Sequence, residues 1–335
     1  MRAMLLSRPG DISARPLTLE EVADPVVGPR QILIEVTVCG VCHTDLHTVE
    51  GELSVPHSHL PRIVGHQIVG RVAKLGPGVT EWKMGERVGV PWLGSSCGRC
   101  RFCLSGRENL CDAARFTGLH IDGGYASYAV ARADYACRLP ATFDDAAAAP
   151  LLCAGIIGFR SLRLADYEKG KSLALFGFGA SAHIALQLAV ADGARVAVFT
   201  RSEEHSDLAK RLGAAWCGRA GDLPPFPVES AVTFAPVGQV VLSALSVLDR
   251  GGTLAINAVH MSPIPELPYE KIYHERTVRS VTNATREDAE AFFRAAVDAG
   301  VRTQVSEYPL ESANEVLAKL KASTIQGAAV LRVRE

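Results

Sequence analysis

The sequence has almost no excess charge, no long uninterrupted apolar run, and no repeats, low-complexity segments or long linkers. Its 35 Lys and Arg residues face 36 Asp and Glu residues, leaving a net charge of -1 over 335 residues. Such a chain offers no basic footprint for nucleic acid. Nor does it carry the polybasic stretch that holds proteins on acidic membranes. The longest apolar run, from Ala146 to Phe159, is punctuated by Pro150, Gly155 and Gly158. It falls short of the roughly 18–20 residues that span a bilayer. The N-terminal MRAMLLSRPGD has only a stub of apolar residues before Pro9 and Gly10, unlike a secretory signal. These absences set the expectation of a cytoplasmic protein with neither a nucleic-acid nor a membrane partner.

What is present is ordinary globular composition, 48% hydrophobic and 21% charged. A chain of this length is expected to divide into two domains. Up to about residue 150 the pattern is mainly β. QILIEVTV, from Gln31 to Val38, alternates apolar and polar residues as a half-buried strand does. Ile63 to Leu75 and Arg87 to Trp92 read similarly, with Pro56, Pro61, Pro77 and Pro91 as breakers. Helical signals are few there. After Pro150 strands and helices alternate. Strands are expected near Leu173–Phe176, Arg195–Thr200, Ala231–Ala235, Thr253–Asn257 and Arg276–Val281, with helices between most of them. That alternation implies an α/β fold with a doubly wound parallel sheet. Helices at Arg286–Ala299 and Ser312–Ala322 and strands from Glu307 and over Ala328–Val333 complete the tail.

Nine cysteines are the unusual feature. In a reducing compartment they are not expected to pair as disulfides. Four crowd into one window, Cys97, Cys100, Cys103 and Cys111. Four thiolates at such spacing wrap one tetrahedral ion and leave no open position, the pattern of a structural zinc site. An iron–sulfur cluster also takes four cysteines, but the wide last gap and the absence of a following proline weaken that alternative. Three more candidate ligands are scattered: Cys42 in CHTDLH, His66 in GHQ and Cys153 in LCAG. Taken singly, each has a plain alternative, a buried free thiol or a hydrogen-bonded core histidine. If the fold brought them together, two thiolates and one imidazole would make a catalytic zinc site with an open fourth position.

Gly177-Phe178-Gly179-Ala180-Ser181-Ala182 follows an expected strand and opens an expected helix. This is the setting in which a GxGxxG/A loop binds a dinucleotide. Gly177 makes the tight turn, Gly179 lets the backbone approach the pyrophosphate, and Ala182 takes the third place. The next strand ends in Thr200-Arg201-Ser202 with no carboxylate for a ribose 2′-hydroxyl. Arg201 is suited to a 2′-phosphate, so NADP(H) is favoured over NAD(H).

In this order the motifs, together with His260-Met261-Ser262, make the chain resemble the zinc-dependent medium-chain alcohol dehydrogenases, in a bacterial branch, over nearly its whole length. The resemblance implies a discontinuous GroES-like, mainly-β catalytic domain at residues 1–154 and 284–335. A Rossmann domain at 155–283 interrupts it. It implies two zinc ions per chain: Cys42, His66 and Cys153 on the catalytic one, the four-cysteine loop on the structural one. Thr44 and His47 match positions that relay the alcohol proton to solvent by way of the cofactor ribose. His43 matches a position near the pyrophosphate, and Trp92 matches a wall of the substrate pocket. Leu119 and His120 are expected to line that pocket beside it. The implied reaction is reversible hydride transfer between a small primary or secondary alcohol and NAD(P), by a homo-oligomer, dimer or tetramer.

Three residues depart from the family pattern. Gln67 replaces a Glu, Ile157 a Thr, and Ala328 a phosphate-contacting Arg. The rival readings are a zinc-free quinone or enoyl reductase, whose members lack these cysteines, and a non-catalytic nucleotide-binding redox sensor.

Overall fold

The computed structural model describes residues 1–53, 55 and 59–334; Pro56, one of the expected breakers, lies outside them. The chain forms two compact units. The first comprises Met1–Cys153, Thr285–Phe293 and Arg302–Glu335; the second comprises Ala154–Ala284 and Arg294–Val301.

The first unit is built on the strand Gln31–Val41. Its alternation is that of a half-buried strand. Ile32, Ile34, Val36 and Val38 are fully buried, while the residues between them are partly exposed. Gln67–Leu75, Tyr128–Arg132 and Ala328–Arg332 all pair antiparallel to it. Arg87–Val90 and Cys137–Arg138 extend the sheet on one side, and Val305–Pro309 extends it on the other. A smaller three-stranded sheet, Leu17–Glu21, Arg2–Leu6 and Arg62–Ile63, packs into the same apolar core.

The helix His43–Glu50 was not expected from the sequence. Its composition is polar and its apolar periodicity weak. It forms because Cys42 and Asp45 cap it reciprocally, the Cys42 N–H donating to Asp45 Oδ2 at 3.0 Å.

The segment after Asp144 also departs from expectation. Asp145 to Leu164 is one continuous helical stretch of 20 residues, with mean hydropathy 1.4 and 61% of its apolar window buried. By length and composition it is long enough to cross a membrane, but most of it is packed inside the protein. Pro150, which punctuates the apolar run in the sequence, sits within the helix. Directly after the proline the coil widens to a π-helical segment, Leu151–Gly155, which accommodates the missing N–H without ending the helix.

The second unit is a six-stranded parallel sheet. The strands lie in the order Trp216–Gly218, Val196–Phe199, Leu173–Phe176, Val228–Thr233, Leu248–Ile256, Thr277–Ser280. In chain order this is 3-2-1-4-5-6, the doubly wound nucleotide-binding arrangement. The three-residue strand Trp216–Gly218 was not expected; it is too short to show alternation. Stacking across the sheet holds it, Phe176 on Phe199 at 4.0 Å and Phe199 against Trp216 at 5.1 Å. Ser262 of the His-Met-Ser segment caps the helix Gly238–Val247, its Oγ accepting the Gly238 N–H at 2.9 Å. Met261 packs on this unit's core, and His260 is exposed.

Candidate functional site

Cys42 lies where the central strand of the first unit ends and the helix His43–Glu50 begins. Asp45, on the first turn of that helix, is almost wholly buried. Its Oδ1 meets His66 Nδ1 at 2.7 Å, and its Oδ2 also accepts the Tyr125 hydroxyl at 3.4 Å. His66 follows Gly65, which has a φ of 96°; a Cβ there would lie 2.3 Å from the Tyr125 ring, so only glycine fits. Cys153 projects from the π-helical segment, and its Sγ stands 3.9 Å from that of Cys42. The ligand atoms of Cys42, His66 and Cys153 all lie within 4.8 Å of one another.

His66 is fully buried, and its Nε2 has no hydrogen-bond partner. Such an orphan costs about 1–3 kcal/mol unless something occupies it. The carboxylate on Nδ1 fixes the ring so that Nε2 is the atom offered, as in carboxylate–histidine–metal triads. Two sulfurs and one such nitrogen fit zinc with a position to spare. The groups are strongly coupled. Burial pulls the His66 pKa down, but Asp45 and then Cys42 outweigh it and raise it to about 10. The Cys42 thiol is drawn well down by the bond from Cys153, against burial and with help from His66. That same bond, together with burial, pushes Cys153 well up. A metal held here must displace protons, so its affinity falls with acidification.

Thr44 Oγ1 lies 3.7 Å from Cys42 Sγ. His47 is one turn further along the helix, partly exposed, with Nδ1 2.5 Å from Glu52 Oε2. His43 stands on the same helix, its ring 6.3 Å from that of His47. Trp92 meets His66 edge-on at 5.0 Å and stacks on Phe116 at 5.0 Å. Phe116 in turn lies 5.5 Å from the His120 ring. His120 Nδ1 accepts the Phe116 N–H at 3.2 Å, so the neutral ring carries its proton on Nε2. Burial, and then Arg115, lower the His120 pKa and keep the ring neutral. Leu119 is buried beside this row. Gln67 is buried as well, and packs so closely on Gly40 that a Cβ there would lie 2.6 Å from Oε1.

Asp45, Tyr125, Glu52 and Phe116 were not singled out from the sequence. Asp45 had a signal, since an acid three residues after a helix-capping position is a capping-box pattern. The other three had none.

The four-cysteine loop forms a second cluster. Cys97, Cys100, Cys103 and Cys111 also place their sulfurs within 4.8 Å of one another. Local donors serve them: Cys100 N–H on Cys97 Sγ at 3.3 Å, Cys97 N–H on Cys111 Sγ at 3.5 Å, and Ser96 Oγ 3.2 Å from Cys103 Sγ. The backbone N–H groups of Arg99 and Cys100 hold the Cys97 thiol down at about 6. Ser96 lowers Cys103. The Cys97 N–H bond lowers Cys111, but burial and the neighbouring thiols outweigh it and raise Cys111 to about 11.

In the second unit Gly177 turns with a φ of 84°, and a Cβ there would sit 3.0 Å from the Ala235 nitrogen. Gly179 precedes the helix Ala180–Ala191, and a Cβ on it would meet nothing within 4 Å. The protein itself therefore does not demand glycine at 179; the space is open for a group outside the chain. Ala180, Ser181 and Ala182 form the first turn, whose N–H groups suit a phosphate. At the end of the next strand, Ser202 N–H donates to Thr200 Oγ1 at 3.3 Å. Ser202 Oγ accepts the His205 N–H at 3.3 Å, so this hydroxyl is spent as a helix cap. Ile157 offers its carbonyl to Ser161 Oγ, and Ala328 opens the strand Ala328–Arg332.

Comparison with known proteins agrees with this geometry. The family described as "Alcohol dehydrogenase GroES-like domain" matches residues 28–141, and that described as "Zinc-binding dehydrogenase" matches residues 182–298. The chain is 45% identical over 340 residues to the "Probable alcohol dehydrogenase AdhA" of Mycobacterium tuberculosis, covering 99% of this chain and 97% of the relative. It is 34% identical to an alcohol dehydrogenase of Geobacillus stearothermophilus, covering 95% and 97%. Among solved structures, a cobalt- and zinc-bound thermostable alcohol dehydrogenase from Pyrobaculum aerophilum superposes with a TM-score of 0.87. It shares 28% identity, and 99% of each chain is covered. The chain belongs to the zinc-dependent medium-chain alcohol dehydrogenase family.

Proposed function

We propose that this alcohol dehydrogenase uses one zinc at Cys42, His66 and Cys153 to interconvert small primary or secondary alcohols with aldehydes or ketones, preferring NADP(H) to NAD(H). The observation that carries the reading is the buried, partnerless His66 Nε2 facing two cysteine sulfurs. A second zinc in the loop of Cys97, Cys100, Cys103 and Cys111 is structural, since four thiolates leave no open position.

When bound, the metal acidifies an alcohol and the nicotinamide takes up hydride. The chain supplies the rest. Asp45 aims His66 and is itself held by the Cys42 N–H and the Tyr125 hydroxyl. Thr44 Oγ1, beside Cys42, is a hydroxyl able to hold the alcohol proton. His47 meets solvent on the same helix and delivers the proton there, its ring steadied by Glu52. The row Trp92, Phe116 and His120, with Leu119, presents an apolar wall and one polar Nε2–H to the substrate. In the second unit, Gly177, Gly179 and the first turn Ala180–Ala182 receive the dinucleotide phosphates; Thr200 and Arg201 receive the ribose end. His43 serves the pyrophosphate.

Arg201 makes no ion pair or hydrogen bond among the described residues, which supports its role toward a 2′-phosphate. The edge strand Thr277–Ser280 is mostly exposed, Val278 by 39%, which supports association into a homo-oligomer. Metal analysis of the purified protein, run beside an alcohol and aldehyde panel with both cofactors, tests the function. About two zincs per chain with alcohol turnover supports it. A zinc-free protein that reduces quinones or enones would replace it with the reductase reading, and a protein inert on every substrate would leave the sensor.

A further inference from the structure

We propose that Arg219 is a second anchor for the 2′-phosphate of NADP(H), acting across the sheet from Arg201; the inference rests on the cofactor preference proposed above. Its basis is strand register. Phe199 pairs with Gly218, and one residue further on the Thr200 N–H donates to the Gly218 carbonyl at 2.9 Å. Arg219 therefore leaves its strand alongside Thr200, about 5 Å away, the spacing of neighbouring strands. This is where the ribose end of a dinucleotide lies in a doubly wound sheet.

The backbone of Arg219 is held in place. Its N–H donates to Asp222 Oδ2 at 2.7 Å, and its carbonyl accepts the Asp222 N–H at 3.0 Å. The Asp222 carboxylate is thus engaged by the turn rather than by the Arg219 guanidinium. That guanidinium is exposed and, like that of Arg201, has no ion pair or hydrogen bond among the described residues.

Charge gives a reason for two cations. Glu203 and Glu204 stand on the first turn of the helix Glu203–Arg211, directly after Arg201 and Ser202. Arg201 thus has two negative charges within three residues of it in the chain. A second guanidinium from the neighbouring strand offsets them and adds charge-assisted bonds to the phosphate, which are stronger than neutral ones. No acid on the end of the strand Val196–Phe199 competes for the same place.

Calorimetric titration of the purified protein with 2′,5′-ADP and 5′-AMP, which differ only in the 2′-phosphate, tests the assignment. The wild type should prefer 2′,5′-ADP by about tenfold or more. Arg219→Gln should weaken 2′,5′-ADP about tenfold while changing 5′-AMP by less than about twofold, and Arg219→Glu should weaken it further. A wild type with no preference for 2′,5′-ADP removes the cofactor reading and Arg219's role with it. A wild type that prefers 2′,5′-ADP, with the preference intact in both Arg219 variants and lost in Arg201→Gln, overturns only the Arg219 assignment.

Discussion

The two clusters of candidate ligands in the first unit have similar atoms and opposite construction. Cys97, Cys100, Cys103 and Cys111 come from fifteen consecutive residues and sit in a loop where Cys97 is exposed. Their partners are backbone N–H groups and Ser96, all close in sequence. Cys42, His66 and Cys153 come from three distant segments, and His66 is wholly buried. Their support is also remote: Asp45 orients His66, and Tyr125 reaches Asp45 from the bend that precedes the strand Tyr128–Arg132. The difference teaches what each metal would do. A closed thiolate set made locally tethers a loop. An open set held by a buried hydrogen-bond network keeps one position available and rigidly aimed.

Substitutions can break this comparison. Cys42→Ser should reduce alcohol turnover by at least about 1,000-fold while the unfolding transition stays near its original midpoint. Zinc content should fall by one ion per chain. Retained turnover at full zinc content would falsify the assignment. Cys103→Ser should do the reverse, with one zinc lost and stability lowered by about 3 kcal/mol or more, followed by denaturant unfolding. The remaining folded enzyme should keep most of its turnover.

Asp45→Asn sharpens the contrast, because the amide keeps the shape and loses the charge. Chelator competition should show catalytic zinc held about 10–100-fold more weakly, with the structural zinc unaffected. A smaller effect is expected from His47→Gln. Turnover should fall about tenfold, and the loss should shrink when an exogenous imidazole buffer is supplied, since in the proposed relay the deleted group would only pass a proton. An equal loss at every buffer concentration points instead to a packing role through Glu52.

Much of this was legible in the sequence, for identifiable reasons. The alternation of Gln31–Val38 and the strand–loop–helix around Gly177 are local patterns, and local patterns survive being read one residue at a time. The helix His43–Glu50 escaped because its formation rests on a cap rather than on an apolar stripe. The long helix through Pro150 escaped because a proline normally ends a helix, and here a π-helical turn absorbs it. Phe116, which joins Trp92 to His120, escaped because it reaches them by chain reversal, without periodicity.

The near-neutral, uninterrupted-run-free composition that set the first exclusions says nothing about where function resides. The sequence alone determined the four-cysteine loop and the glycine turn, because their members are near neighbours and backbone geometry brings them together. Only the tertiary structure decided that Cys42, His66 and Cys153 converge within 4.8 Å, that Asp45 stands behind His66, and that Arg219 emerges beside Thr200. Those placements depend on strand register and burial across as many as 111 residues of separation, as for Cys42 and Cys153, and register is settled by packing of the whole sheet.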